Sequence, residues 1–227
     1  MQQRQWLGWG ILISGMLAII GAMAGEHGSY LHYMFKPLTT ILIFVRLMLI
    51  TTPINRASWR AIMLALIFSL GGDVFLMLPA SLLTAGFELG LASFLVAHLL
   101  FLIGFTRDAR LFAKPLPLVL LLLASAGNLI LLWPFIAAAL QLPVLVYMLC
   151  LLAMAGQAVS RALQLCTKAS RMAAIGGIAF LVSDTFIAFN KFYTPIPVAP
   201  LIILGTYYIA LYLIVVSTEN EGGSVSA

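Results

Sequence analysis

The sequence predicts an all-α, polytopic membrane protein with about eight transmembrane helices and both termini in the cytoplasm. Three observations carry this. Of 227 residues, 63% are hydrophobic and only 8% are charged, with a mean hydropathy of +1.11, whereas a soluble domain has roughly 25% charged residues. A span uses about 20 apolar residues, so eight spans take roughly 160 and leave about 67 for loops and tails, too few for an extramembrane domain. The cations also fall on alternate loops. The excess of 12 Lys+Arg over 7 Asp+Glu therefore reads as a topology signal rather than a nucleic-acid surface.

Taken in order, Arg4 precedes an apolar run from Trp6 to Ala24, about residues 6–24. It is long for a signal peptide and further spans follow, so it reads as a retained first helix. The second helix, about 34–51, opens on Lys36 and carries Thr39, Ile43 and Arg46 along one stripe. Arg56 and Arg60 lead into the third, about 61–78, and the fourth, about 87–105, opens on Glu88 and ends before Arg107, Arg110 and Lys114. The fifth and sixth, about 116–133 and 142–160, are joined by a loop from Pro134 to Gln141 without Lys or Arg. Arg161, Lys168 and Arg171 precede the seventh, about 173–190, and the eighth, about 200–217, ends at Ser217. If the helices alternate, all nine of these cations, Arg4 included, lie on one side, the cytoplasmic one. The expectation is one transmembrane domain, 1–217, and a short polar tail, 218–227, solvated and bearing Glu219 and Glu221. The expected location is the inner membrane of a bacterial cell. Cys150 and Cys166 form no metal-type spacing and read as structural thiols.

Charge at the centre of a span costs at least about 2.5–3.5 kcal/mol on insertion scales, so Arg46, Asp73, His98 and Asp184 each require a partner or a function. Asp73 and Asp184 lie at similar depth in helices that both run outward, and are expected to meet in the outer half of the bilayer. Gly71 and Gly72, and Gly176 and Gly177, allow close helix approach beside them, and Ser69 lies one turn before Asp73. Lys36, Glu88, Asn190 and Lys191 gather toward the outer surface, giving a polar cleft that opens outward. Each also has an ordinary reading. Lys36, Glu88 and Lys191 fit interfacial anchors, Arg46 fits an ion pair between helices, and His98 fits a hydrogen-bonded packing residue.

Two neighbouring carboxyls in a low dielectric resist double ionisation and hold one proton between them, so that one donates while the other accepts. That suits acid-catalysed hydrolysis through an oxocarbenium-like state, or peptide hydrolysis. His27, His32 and His98 are scattered and no HExxH occurs, so neither a metal nor another cofactor is expected. GxSxG and Walker A motifs are absent as well.

Three stretches, Phe68-Ser-Leu-Gly-Gly-Asp73-Val-Phe-Leu-Met-Leu-Pro79, Leu89-Gly-Leu-Ala-Ser-Phe-Leu-Val-Ala-His98 and Ile178-Ala-Phe-Leu-Val-Ser-Asp184-Thr-Phe-Ile-Ala-Phe-Asn190-Lys191-Phe192, resemble the YhhN-like membrane proteins, the lysoplasmalogenase family. The resemblance covers most of the chain. It implies hydrolysis of the vinyl-ether bond of a lysoplasmalogen to a long-chain aldehyde and glycerophosphoethanolamine or glycerophosphocholine, with Asp73 and Asp184 as catalytic candidates. A lysophospholipid is then the expected partner, with Lys36, Lys191 and Arg46 near its phosphate, Glu88 near its headgroup cation, and His98 orienting an aspartate or water. The runner-up is a small proton- or cation-coupled transporter or a lipid-binding protein. Broken helices and polarity reachable from both sides mark transporters, whereas here the buried polarity sits in the outer half. An intramembrane aspartyl protease is weaker, because its Y-D and G-x-G-D signatures are not both present.

Overall fold

The computed structural model describes residues 2–79 and 81–220. Within them lie eight long helices: α1 (Gln2–Met23), α2 (Ser29–Met48), α3 (Arg56–Met77), α4 (Gly86–Phe105), α5 (Leu116–Leu132), α6 (Ala138–Leu165), α7 (Lys168–Ala188) and α8 (Ala199–Val216). All eight, counting the helical turns after α5 and α7, are long and apolar enough to cross a bilayer. The chain is a multi-pass α-helical membrane protein.

The helices begin earlier than the apolar windows at three places that matter for depth. Asn55 Oδ1 accepts from the backbone N–H of Ala57 (2.8 Å) and Ser58 (3.1 Å), so α3 starts at Arg56 rather than near 61. Thr167 and Ser170 form a capping box, and α7 starts at Lys168 rather than near 173. Hydropathy marks where a helix enters hydrocarbon, whereas the cap marks where it begins. For α2 the early start at Ser29 places Lys36 two turns inside the helix instead of at its opening.

Outward faces carry side chains that only lipid tolerates at this density, among them Trp6, Ile13, Tyr30, Leu123 and Ile130. The interior is built from Phe101, Phe105, Phe180, Ile62, Leu66 and Leu211, all buried. α1 packs on α2, α3 on α4, and α7 on both α8 and α6, while α4 also meets α6. α5 stands at the periphery, held chiefly by α6 and by the helical turns Trp133–Phe135 and Phe189–Tyr193.

The glycines near the two aspartates set these neighbours. A Cβ on Gly72 would lie 2.5 Å from the Phe94 ring, and one on Gly176 would lie 2.9 Å from the carbonyl oxygen of Ala210. They therefore bring α3 against α4 and α7 against α8. The expected close approach of α3 to α7 is replaced by these two separate interfaces, because the small residues face other helices.

The start of the C-terminal tail also differs from the solvated end expected. Ile54 N–H donates to the Thr218 carbonyl (2.9 Å) and Asn220 N–H to the Thr52 carbonyl (3.2 Å). The Glu219 carboxylate accepts from both Arg4 and Arg46, since two arginines at this end need a counter-charge. Residues 221–227, with Glu221, lie outside the described residues. At the same end Arg161 grips Asp108 through two bonds of 2.7 and 2.6 Å. The buried Gln157 accepts from Phe112 N–H (2.7 Å), which lashes the α4–α5 loop to α6.

Gly176→Ala is expected to push α8 away from α7 and destabilise the detergent-solubilised protein by about 1–3 kcal/mol. Gly205→Ala, where a Cβ meets nothing within 4 Å, is expected to leave the thermal midpoint unchanged in the same melt.

Candidate active site

α7 carries Asp184 into the seam where it meets α6 and α4. There the Tyr147 hydroxyl, from α6, donates a short hydrogen bond to Asp184 Oδ2. His98 Nε2, from α4, lies 3.3 Å from the same oxygen and 3.0 Å from the Tyr147 hydroxyl. The three side chains close a triangle. His98 is fully buried, its ring packs edge-on against Phe180 at 4.7 Å, and its Nδ1 makes no hydrogen bond.

Two members of the triangle, Asp184 and Tyr147, form part of the wall of an apolar crevice, and His98 stands buried behind them. Asp184, Tyr147 and Thr185 line it together with Leu76, Phe94 and Leu181. It holds about 100 Å³ of free space, several times the roughly 10–15 Å³ that one water requires. Phe87 and Phe192 also line it and meet edge to face at 5.9 Å. The Lys191 ammonium stands over the Phe87 ring, 5.0 Å from its centroid, and is otherwise exposed. A cation thus sits at the crevice end away from the arginine-rich loops.

Asp73 belongs to a second cluster. Its Oδ2 accepts from Thr40 Oγ1 (2.6 Å, α2) and the Tyr207 hydroxyl (2.8 Å, α8), and Lys36 Nζ lies 3.6 Å from its Oδ1. Asp73 is buried and does not line the crevice. Among the described residues, the two aspartates share no hydrogen-bond partner. They are linked through rings: Tyr207 packs on Phe180 at 5.4 Å, and Phe180 packs on His98. Single-proton sharing is therefore not the arrangement that these hydrogen bonds describe.

The other residues singled out from sequence divide. Lys36 is neither an anchor nor free for a phosphate, since it is buried against Asp73. Arg46 is occupied by Glu219 at the far end of α2 and so is removed from any headgroup near Lys191. Ser69 is fully buried beneath Asp73 with its hydroxyl unpartnered. Asn190 uses Oδ1 to accept from the Ile196 N–H (2.8 Å), which fixes the chain after the π-helical turn Phe189–Tyr193. Glu88 is exposed in the first turn of α4, beside Phe87. Among the described residues no three His, Cys, Asp or Glu side chains gather as a metal site.

Sequence reasoning missed Thr40, Tyr147 and Tyr207. A tyrosine in an apolar span carries a hydroxyl that must find a partner in hydrocarbon, and that signal was present at both tyrosines.

Fold and site together define a polytopic membrane protein in which a hydrogen-bonded carboxyl opens onto an apolar, lipid-like crevice. The chain belongs to the YhhN family, whose sequence model matches residues 31–218. It is 33% identical over 153 residues to lysoplasmalogenase TMEM86B of Homo sapiens, a match covering 67% of this chain and 61% of that protein. It is 31% identical over 194 residues to a lysoplasmalogenase of Mycobacterium bovis, covering 82% and 71% respectively. The chain thus spans less than two thirds of the human relative's length. No solved structure matches it significantly.

Lys36→Met leaves Asp73 buried without its cation and is expected to destabilise the protein by about 3–5 kcal/mol. In a double-mutant cycle read by thermal melting, Lys36→Met combined with Asp73→Asn is expected to regain much of that loss. Simple additivity would show that the two side chains are not coupled.

Proposed function

We propose that the protein is a lysoplasmalogenase-type hydrolase in which Asp184, His98 and Tyr147 act on a vinyl-ether lipid lying in the crevice. The observation that carries this is the Asp184–His98–Tyr147 triangle, which presents Asp184 and Tyr147 to an apolar crevice large enough to admit water. The names of the relatives support the same substrate class.

The alkenyl chain of a single-chain lipid lies among the apolar residues, and its phosphate meets Lys191 at the mouth. Glu88, on the same end of the bundle, faces an ethanolamine or choline cation. With both termini in the cytoplasm of a bacterial inner membrane, the mouth opens in the outer leaflet.

Hydrolysis then proceeds in balanced steps. A proton held within the triangle passes to the β-carbon of the vinyl ether, and the double-bond electrons form the new C–H bond. The carbon attached to oxygen becomes an oxocarbenium, which the Asp184 carboxylate faces and stabilises. Water adds to that carbon and returns its proton to the triangle. As the hemiacetal breaks its C–O bond to the glycerol oxygen, the triangle protonates that oxygen and recovers the proton of the hemiacetal hydroxyl, leaving aldehyde and glycerophospho-headgroup. No metal or organic cofactor enters the balance. Asp73 acts as a positioning residue in this scheme: it neutralises Lys36 and holds Tyr207, whose ring supports Phe180 and through it His98.

The test is aldehyde release from lysoplasmenylethanolamine by the purified protein in detergent. Asp184→Asn is expected to lower turnover at least a hundredfold, and Tyr147→Phe about tenfold, in the range of general acid–base contributions. Asp73→Asn is expected to cost less in rate than in stability, and EDTA is expected to leave turnover intact. Wild-type-like turnover by folded Asp184→Asn would refute the assignment. Proton or cation flux in liposomes without aldehyde would favour the transporter reading.

A further inference from the structure

α5 presents an unexpected polar face to the crevice. Ser125, Asn128, Leu129 and Leu132 all line it, at the i, i+3, i+4 and i+7 spacing of one helical stripe. The opposite faces of α5 are ordinary lipid surface: Leu123 is 67% exposed and Ile130 is 74% exposed. Asn128 is half-buried within an apolar span, and its carboxamide makes no hydrogen bond among the described residues. An asparagine retained for packing between membrane helices bonds across to its neighbour. This one instead turns toward the same crevice as Asp184 and Tyr147.

We propose that Asn128 is a specificity-determining residue that recognises the free glycerol hydroxyl of a single-chain ether phospholipid. A carboxamide offers both a donor and an acceptor, which matches a hydroxyl that both gives and takes. In a single-chain lipid that hydroxyl is on the carbon next to the one bearing the ether oxygen. A lipid whose chain is acted on at Asp184 therefore presents it within the same crevice. A second acyl chain at that oxygen removes the donor and leaves the carboxamide oxygen without its partner, so a two-chain lipid is rejected by a lost hydrogen bond as well as by bulk. The substrate class follows the function proposed above, and Asn128 adds a reason for selecting a lysolipid over its diradyl parent.

The experiment uses two non-hydrolysable probes, a 1-O-alkyl lysophospholipid with its free hydroxyl and the 2-deoxy analogue, with binding to the detergent-solubilised protein measured directly. The wild type is expected to hold the hydroxyl probe roughly tenfold to a hundredfold more tightly, the cost of one neutral hydrogen bond left unmade in an apolar site. Asn128→Leu is expected to bind both probes alike, Asn128→Ser to regain part of the preference, and Ile130→Ala to behave as wild type. A preference that survives Asn128→Leu, or its absence in the wild type, overturns the proposal even if aldehyde is released. A hydroxyl preference that depends on Asn128 without any vinyl-ether hydrolysis supports the proposal and sets aside the hydrolase reading.

Discussion

Compensation of charge inside hydrocarbon is the constraint on which the rest of this structure depends. An ionisable group in a span is tolerated when a partner meets it, and the polar contacts here follow that requirement. Lys36 faces Asp73, Tyr147 and His98 face Asp184, Arg46 faces Glu219, and Arg161 faces Asp108. Every one of these contacts joins different helices or a helix to a loop. Lipid supplies no hydrophobic drive to hold one helix to another, so these contacts, with close packing at Gly72 and Gly176, fix which helices are neighbours.

The same requirement separates structural from chemical polarity. Around Asp73, two donors and an ammonium converge on a buried carboxylate that does not line the crevice. Around Asp184 the partners leave the carboxyl on a cavity wall, with water-sized room and an apolar channel beside it. Two aspartates that look equivalent along the chain thus acquire different work. The connection between them runs through the packed Tyr207, Phe180 and His98 rings.

The peripheral position of α5 suits the function proposed above. A helix held mainly by one neighbour supplies one wall of the crevice while most of its surface faces the bilayer. Under the proposed function, a single-chain lipid has a short route from the membrane to the carboxyl. The π-helical turn at Phe189–Tyr193 serves the same end of the site, placing Phe192 in the crevice and Lys191 over Phe87 at its mouth.

Residue content alone was enough for the fold class and the number of spans, and it made a few intramembrane polar residues conspicuous. Length, hydropathy and the scarcity of charge are sums over residues and need no knowledge of neighbours. Asp184 and His98 were legible because a charged or imidazole side chain in an apolar run is conspicuous wherever it packs. Partner choice was not legible. Lys36 read as an anchor or a phosphate contact because the apolar window began after the true helix start, Arg46 read as an ion pair or a headgroup contact without its partner Glu219, 173 residues away, and Asn128 passed unnoticed as one polar residue among many apolar ones. Only the tertiary structure decided that the two aspartates occupy separate clusters, because the orientation of a glycine face and the reach of a tyrosine hydroxyl depend on which helices lie side by side.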